Sequence, residues 1–190
     1  MKEKLTLRNV IIWTASLIGL VVFCVSFAIK GVFETPGDRV EFNNIIWGST
    51  SGTMRGQTAP MSDILGFEKL DANVFGLLGV IFALVAAIAL VVSAFAIKNE
   101  KIAKIVVLSS AGVMLLGGIF QFLIVPGIEN SIATTYISLG ADPAAARAEA
   151  SEIASFAKLS GGSVVCGIFT VVGAIASAVS AFIPNKKLVK

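Results

Sequence analysis

The sequence predicts an all-α membrane protein, a four-helix transmembrane bundle with a small extracellular β-sheet in its first loop and extracellular extensions of its third and fourth helices. Three observations predict it. The 190 residues are 56% hydrophobic and only 14% charged, with a mean hydropathy of +0.89, whereas a soluble domain is about 45–50% apolar and about 25% charged. Four apolar stretches, 9–29, 74–97, 105–125 and 159–183, are each long enough to cross a hydrocarbon core of about 30 Å, and none holds Asp, Glu, Lys or Arg in its interior. Basic residues also cluster in alternate connecting segments. The whole of 1–190 therefore reads as one four-span membrane domain with the lipid bilayer as its first partner.

The first run, 9–29, follows Lys2, Lys4 and Arg8. A secretory signal has the same order of parts, and Ser26-Phe27-Ala28 has the form of a cleavage site, but the run exceeds the about 7–15 residues of a signal's apolar region. It is expected to remain as an uncleaved span. In the loop 30–72, Arg39 to Trp47 is rich in β-branched and aromatic residues between Pro36-Gly37 and Gly48-Ser49, a turn-strand-turn pattern. Ser49 to Gly56 reads as a returning strand, and Met61, Ile64, Leu65 and Leu70 fall at helical spacing before the second span. Together they predict a sheet of two to four strands.

In the second span Gly79, Ala83 and Ala87 line one helical face, as Gly173, Ser177 and Ala181 do in the fourth, with a shorter Ala15-Gly19 pair in the first. Small residues matter here because lipid is as apolar as Leu, so helices associate by close packing rather than by the hydrophobic effect. These faces serve either packing within one bundle or a dimer contact. In the loop 126–158, Pro126-Gly127 interrupts the third span, a helix runs from Ile128 to a stop at Gly140, and Asp142-Pro143 starts another. That last helix is expected to continue into the fourth span, bending at Gly161-Gly162.

Lys and Arg in short flanking segments stay cytoplasmic. The N-terminus, the link at Lys98, Lys101 and Lys104, and the tail at Lys186, Lys187 and Lys190 hold nine basic residues against Glu3 and Glu100, whereas the two long loops hold six against ten acids. Both termini are expected in the cytoplasm and both loops outside, in a multi-pass protein of the cell membrane. With 15 Lys+Arg against 12 Asp+Glu the net charge is only +3, so nucleic acid is not an expected partner.

The chemistry is sparse. His is absent, which removes the commonest general base and metal ligand. Cys24 and Cys166 lie in apolar spans and read as buried thiols acting as small apolar residues. Gln121 is expected to make an interhelical hydrogen bond. The external acids form a solvated surface without paired base, nucleophile or metal-binding spacing. No catalytic residue, metal or cofactor is expected, and the chain does not read as an enzyme.

Four spans with cytoplasmic ends, a β-rich first loop carrying Ile46-Trp47-Gly48, a short basic link and a third helix projecting outward resemble the claudin and peripheral myelin protein superfamily. The segments Ala103-Lys104-Ile105-Val106-Val107, Leu115-Leu116-Gly117-Gly118 and Val125-Pro126 are similar to the third claudin span, and Thr135 to Leu139 to its second loop. The family's Gly-Leu-Trp and two loop cysteines have no counterpart here. The resemblance implies adhesion or assembly through the external loops.

The expected function is that of a non-enzymatic membrane interaction protein, a claudin-like adhesion or assembly protein or an auxiliary subunit. Its partner is another membrane protein or a second copy, bound through Phe42, Ile46, Trp47, Glu149 and Glu152. The alternative is a small oligomeric transporter or channel subunit, but nothing ionisable lies at membrane depth, where such proteins carry functional charges.

Overall fold

The computed structural model describes residues 6–35, 38–97 and 99–184. Its elements run α1 (Leu7–Ser26), β1 (Gly31–Thr35), β2 (Asp38–Phe42), β3 (Ser51–Met54), β4 (Gln57–Pro60), α2 (Met61–Leu65), α3 (Val74–Phe95), α4 (Glu100–Phe122), α5 (Ile124–Ser138), α6 (Pro143–Ala154), β5 (Ala157–Lys158) and α7 (Gly161–Ser180). Helices α1, α3, α4 and α7 are long and apolar enough to cross a membrane. The chain is a multi-pass membrane protein with a small antiparallel sheet.

Each span starts at a short polar side chain that accepts a hydrogen bond from a first-turn amide, the N-cap arrangement. Thr6 Oγ1 accepts from Asn9, Asn73 Oδ1 from Gly76, Asn99 Oδ1 from Lys101 and Ile102, and Ser160 Oγ from Ser163. The cap at Asn99 starts α4 five residues before the expected apolar boundary at Ile105, because helix length follows backbone capping and apolar length does not.

Packing divides the chain into two compact units. The first comprises the described residues of Met1–Cys24, Gly79–Ile119 and Gly167–Lys190. Within it the helices approach until glycine is required. A Cβ on Gly19 of α1 would stand 2.7 Å from the Ala83 carbonyl and 2.8 Å from the Ala87 Cβ. One on Gly117 of α4 would stand 2.9 Å from the Gly79 carbonyl, one on Gly118 2.8 Å from Val171 of α7, and one on Gly173 2.8 Å from Met114. Ser16 Oγ donates to the Ala87 carbonyl at 2.9 Å. The predicted faces are thus used inside the chain: Gly79, Ala83 and Ala87 are buried between α1 and α4, and Gly173, Ser177 and Ala181 are buried likewise. Ala181 packs with Ile12, Ala15, Leu90 and Val107.

The second unit, Val25–Leu78 and Phe120–Cys166, contains the sheet in the order β4-β3-β2-β1-β5, antiparallel throughout. Arg55 and Gly56 join β3 to β4 with φ of 52° and 79°, both in the left-handed region that a two-residue type I′ hairpin turn needs. The expected turn at Pro36-Gly37 lies outside the described residues. Both sheet edges are short, and β4 ends at Pro60, which has no N–H for a further strand. One face is apolar: Phe33 and Phe42 meet at 4.6 Å, and Ile64 of α2 covers Gly52.

Three expectations change. The strand predicted over Arg39–Trp47 stops at Phe42, because the chain turns there: Asn44 takes a φ of 55°, and the Ile45 amide leaves the ladder to bond the Ile29 carbonyl. The sheet has five strands because β5, far away in sequence, adds to β1. The extensions of the third and fourth spans are separate helices. The third breaks at Leu123, before Pro126, since proline removes the bond to the carbonyl four residues earlier, at Phe122. The fourth is not continuous from Pro143: α6 ends at Ala154, and β5 intervenes before α7. The stop at Gly140 and the start at Asp142 are as expected. Gly140, with φ of 95°, donates to Ile137 and Ala141 to Tyr136, a Schellman ending, and Asp142 accepts from Ala144 and Ala145.

Gly117→Leu and Gly173→Leu should each destabilise the protein by about 1–3 kcal/mol or more, as overpacking does. Gly112→Leu, at a site with nothing within 4 Å, should stay within about 1 kcal/mol of the parent. Thermal unfolding in detergent compares the three, and equal behaviour would contradict this packing.

Candidate interaction surface

The residues proposed for recognition separate into two groups. Phe42 and Ile46 are 1% and 0% exposed, so neither can touch a partner in the folded protein. A Cβ on Gly76 would meet Ile46 at 2.9 Å, which places Ile46 against the start of α3. Trp47 is half-buried, donates from Nε1 to Ser26 Oγ at 2.9 Å and stacks on Phe27 at 4.8 Å. Phe42 and Ile46 are thus covered by their own unit, and Trp47 is covered in part. Glu149 and Glu152 are exposed on α6.

What the second unit turns outward is the polar face of the sheet. Period-two alternation puts Val40 and Phe42 on one side of β2 and Arg39 and Glu41 on the other. Arg39 contacts Glu41 at 2.9 Å and Glu34 at 3.6 Å, Lys30 contacts Glu41 at 2.8 Å, and Lys158 of β5 contacts Glu34 at 2.7 Å. Arg55 at the hairpin tip reaches Asp38 at 3.0 Å. The Lys158 hydrogen bond and charge hold the Glu34 carboxyl below its ordinary range, and Lys30 does the same for Glu41. Exposed pairs of this kind add little stability; they hold charged groups in fixed positions.

Helix α5 holds the segment that leads into α3. Ile124, Gly127, Ser131 and Thr135 recur every three or four residues along one face of that helix, all of them buried. Thr135 Oγ1 accepts from the Asp71 amide at 3.0 Å, Ser131 Oγ donates to the Ala72 carbonyl at 3.2 Å, and Asn73 Nδ2 donates to the Ile124 carbonyl at 2.8 Å. Asn73 is fully buried and also caps α3, and its amide fills the space that a Gly127 side chain would take. Farther along α5, Tyr136 packs edge-on against Phe67 at 5.5 Å. Burial pushes the Tyr136 hydroxyl above its ordinary range, and its hydrogen bond to Glu149 of α6 adds to the shift.

Gln121 bonds the Gly76 carbonyl at 3.4 Å, the expected interhelical link. Of the two cysteines, neither in a disulfide, Cys166 is buried as expected. Cys24 is exposed, because it falls on an outward face of α1, which the sequence position alone does not reveal. Among the described residues no group of three or more Cys, Asp or Glu could hold a metal ion. The polar sheet face was legible in the alternation of β2, but the strand that brings Lys158 beside Glu34 has only two residues and left no sequence signal. No protein-family model matches this chain, and no curated protein matches it.

Asn73→Ala should cost about 1–3 kcal/mol, since it removes a cap and leaves a buried carbonyl with one donor fewer. Asn73→Ser, which keeps a capping oxygen, should lose less. Gly127→Ala should resemble Asn73→Ala, because its methyl displaces the same amide. Thermal unfolding of the three ranks them, and an unchanged Gly127→Ala would remove Asn73 from this role.

Proposed function

We propose that this chain is a non-enzymatic membrane interaction protein that binds another membrane protein through its two long loops. It lies in the cell membrane with both termini cytoplasmic and the sheet, α5 and α6 outside, and it works as a claudin-like adhesion or assembly protein or as an auxiliary subunit. The observation that carries this reading is the division of labour in the second unit. Its large apolar residues form a core, while its charges stand on α6 and on an exposed sheet face, where they meet opposite charges. A surface held in place before binding saves the ordering cost that a loose loop would bear. The basic link and termini support the orientation.

Orientation is tested by single cysteines in a background with Cys24 and Cys166 replaced by Ala. Thr58→Cys and Ala145→Cys should react with an impermeant thiol reagent on intact cells, and Lys101→Cys should not; labelling of Lys101→Cys would reverse the topology. For recognition, a variant combining Arg55→Glu, Glu149→Lys and Glu152→Lys should lose the protein that co-purifies with the parent chain while keeping the parent's thermal stability. Full retention of that partner would move recognition away from this surface.

A further inference from the structure

We infer that the polar sheet face binds an acidic polypeptide segment of the partner, with Arg39 and Arg55 as the anchoring cations. The inference rests on the interaction reading above and adds the chemistry of what is bound.

Charge in the second unit is segregated. Lys30, Arg39 and Lys158 form one ion-paired network with Glu34 and Glu41, and Arg55 makes a separate pair with Asp38 at the hairpin end, together four cations to three carboxylates. The rest of the unit has only Lys69 and Arg147 against seven acids. The sheet is therefore the one part of an acidic unit that carries a cationic surplus, and an anionic ligand is drawn to it while the surrounding surface repels the same ligand. A concavity of about 510 Å³ lies there, lined by Asp38, Arg39, Glu41, Thr53, Arg55 and Gly56.

Arg55 is the second observation. It occupies the first central position of a type I′ turn with φ of 52°, where Asn, Asp or Gly is the ordinary choice because an L side chain is disfavoured there. The side chain is 77% exposed, so no core packing explains the arginine. Its Nε and one terminal nitrogen both contact the same Asp38 oxygen, at 3.2 and 3.0 Å. A guanidinium has five N–H donors in a planar fork, so donors remain for a second carboxylate. Arg39 is 58% exposed and contacts one oxygen of Glu41 and one of Glu34.

The alternation of charge favours a peptide over a lipid surface. Glu34 and Glu41 sit between the cations and stay ionised beside them, so a uniformly anionic membrane would meet like charge at every second position. An extended segment presents side chains on one face at intervals of about 7 Å, the spacing of alternate residues along a strand. Its carboxylates can align with the arginines and leave gaps opposite the glutamates.

The test uses the intact protein in nanodiscs of neutral lipid and a fluorescein-labelled dodecapeptide with Glu at every fourth position and Ser elsewhere, so that carboxylates alternate with Ser on one face of an extended chain, with a Lys-for-Glu peptide as control. The acidic peptide should bind saturably and weaken steeply between about 0.1 M and about 1 M salt, as the Debye length falls from about 10 Å to about 3 Å. Arg55→Glu should weaken it at least roughly tenfold, and so should Arg39→Gln, a second variant in case the first disturbs the hairpin. Lys101→Gln, which removes an exposed cation of the first unit, should leave it within about twofold of the parent. The inference fails if the acidic peptide does not bind at low salt, if neither arginine variant weakens it, or if phosphatidylserine vesicles compete for the arginines more strongly than the peptide does. It also fails if the arginine variants abolish only self-association. Peptide failure with partner co-purification still lost in the combined surface variant would remove only the acidic chemistry. Failure of both would remove the interaction reading itself.

Discussion

Close backbone approach at glycine is the constraint on which the first unit depends. In lipid the apolar side chains of four such helices gain little by leaving one another or by meeting, so association needs contacts that acyl chains cannot supply. Gly19, Gly117, Gly118 and Gly173 supply them: each lets a backbone or a side chain of a neighbouring helix come within 3 Å of where a Cβ would stand. Met114 shows the complementary case. Its flexible thioether fills the space beside both Gly19 and Gly173, a use suited to an unbranched side chain with three rotatable bonds. The hydroxyls of Ser93, Ser110 and Ser177 return to carbonyls of their own helices, so these polar groups at membrane depth are satisfied without a ligand.

The second unit solves a different problem, since a five-stranded sheet of such short strands has little surface with which to hold itself. Aromatic and aliphatic residues of the first loop pack beneath it, and the polar stripe of α5 fixes the chain at Asp71, Ala72 and Asn73 by three side-chain hydrogen bonds. β5 then joins the second loop to the first, with the Glu34 amide bonded to the Phe156 carbonyl at 2.9 Å and Lys158 paired to Glu34. The two loops therefore form one folded surface, and the proposed function relies on that.

How much of this was legible in the sequence depends on the range of the determining interaction. The spans follow from apolar length, and the endings at Gly140 and Asp142 follow from local backbone chemistry. The small-residue faces were visible as a pattern, but only the neighbours of Gly19 and Gly117 show that they are used within the chain. Phe42 and Ile46 are buried in their own unit and not free for a partner, which the sequence does not show because an apolar residue in a loop reads the same whether its own unit or another protein covers it. The pairing of Lys158 with Glu34 and the hydrogen bonds of the α5 stripe bring together residues 51 or more positions apart, which no local pattern encodes.

The two loops fold into one surface without a partner. Amide hydrogen exchange of the isolated protein in nanodiscs tests it most directly. The amides of Glu34, Asn43 and Ile45, each bonded to a carbonyl outside its own strand ladder, should exchange about a thousandfold or more slowly than in an unstructured chain, equivalent to an opening free energy of about 4 kcal/mol. Exchange of all three at unstructured rates, with the spans still protected, would mean that no surface is formed in advance and would contradict the account.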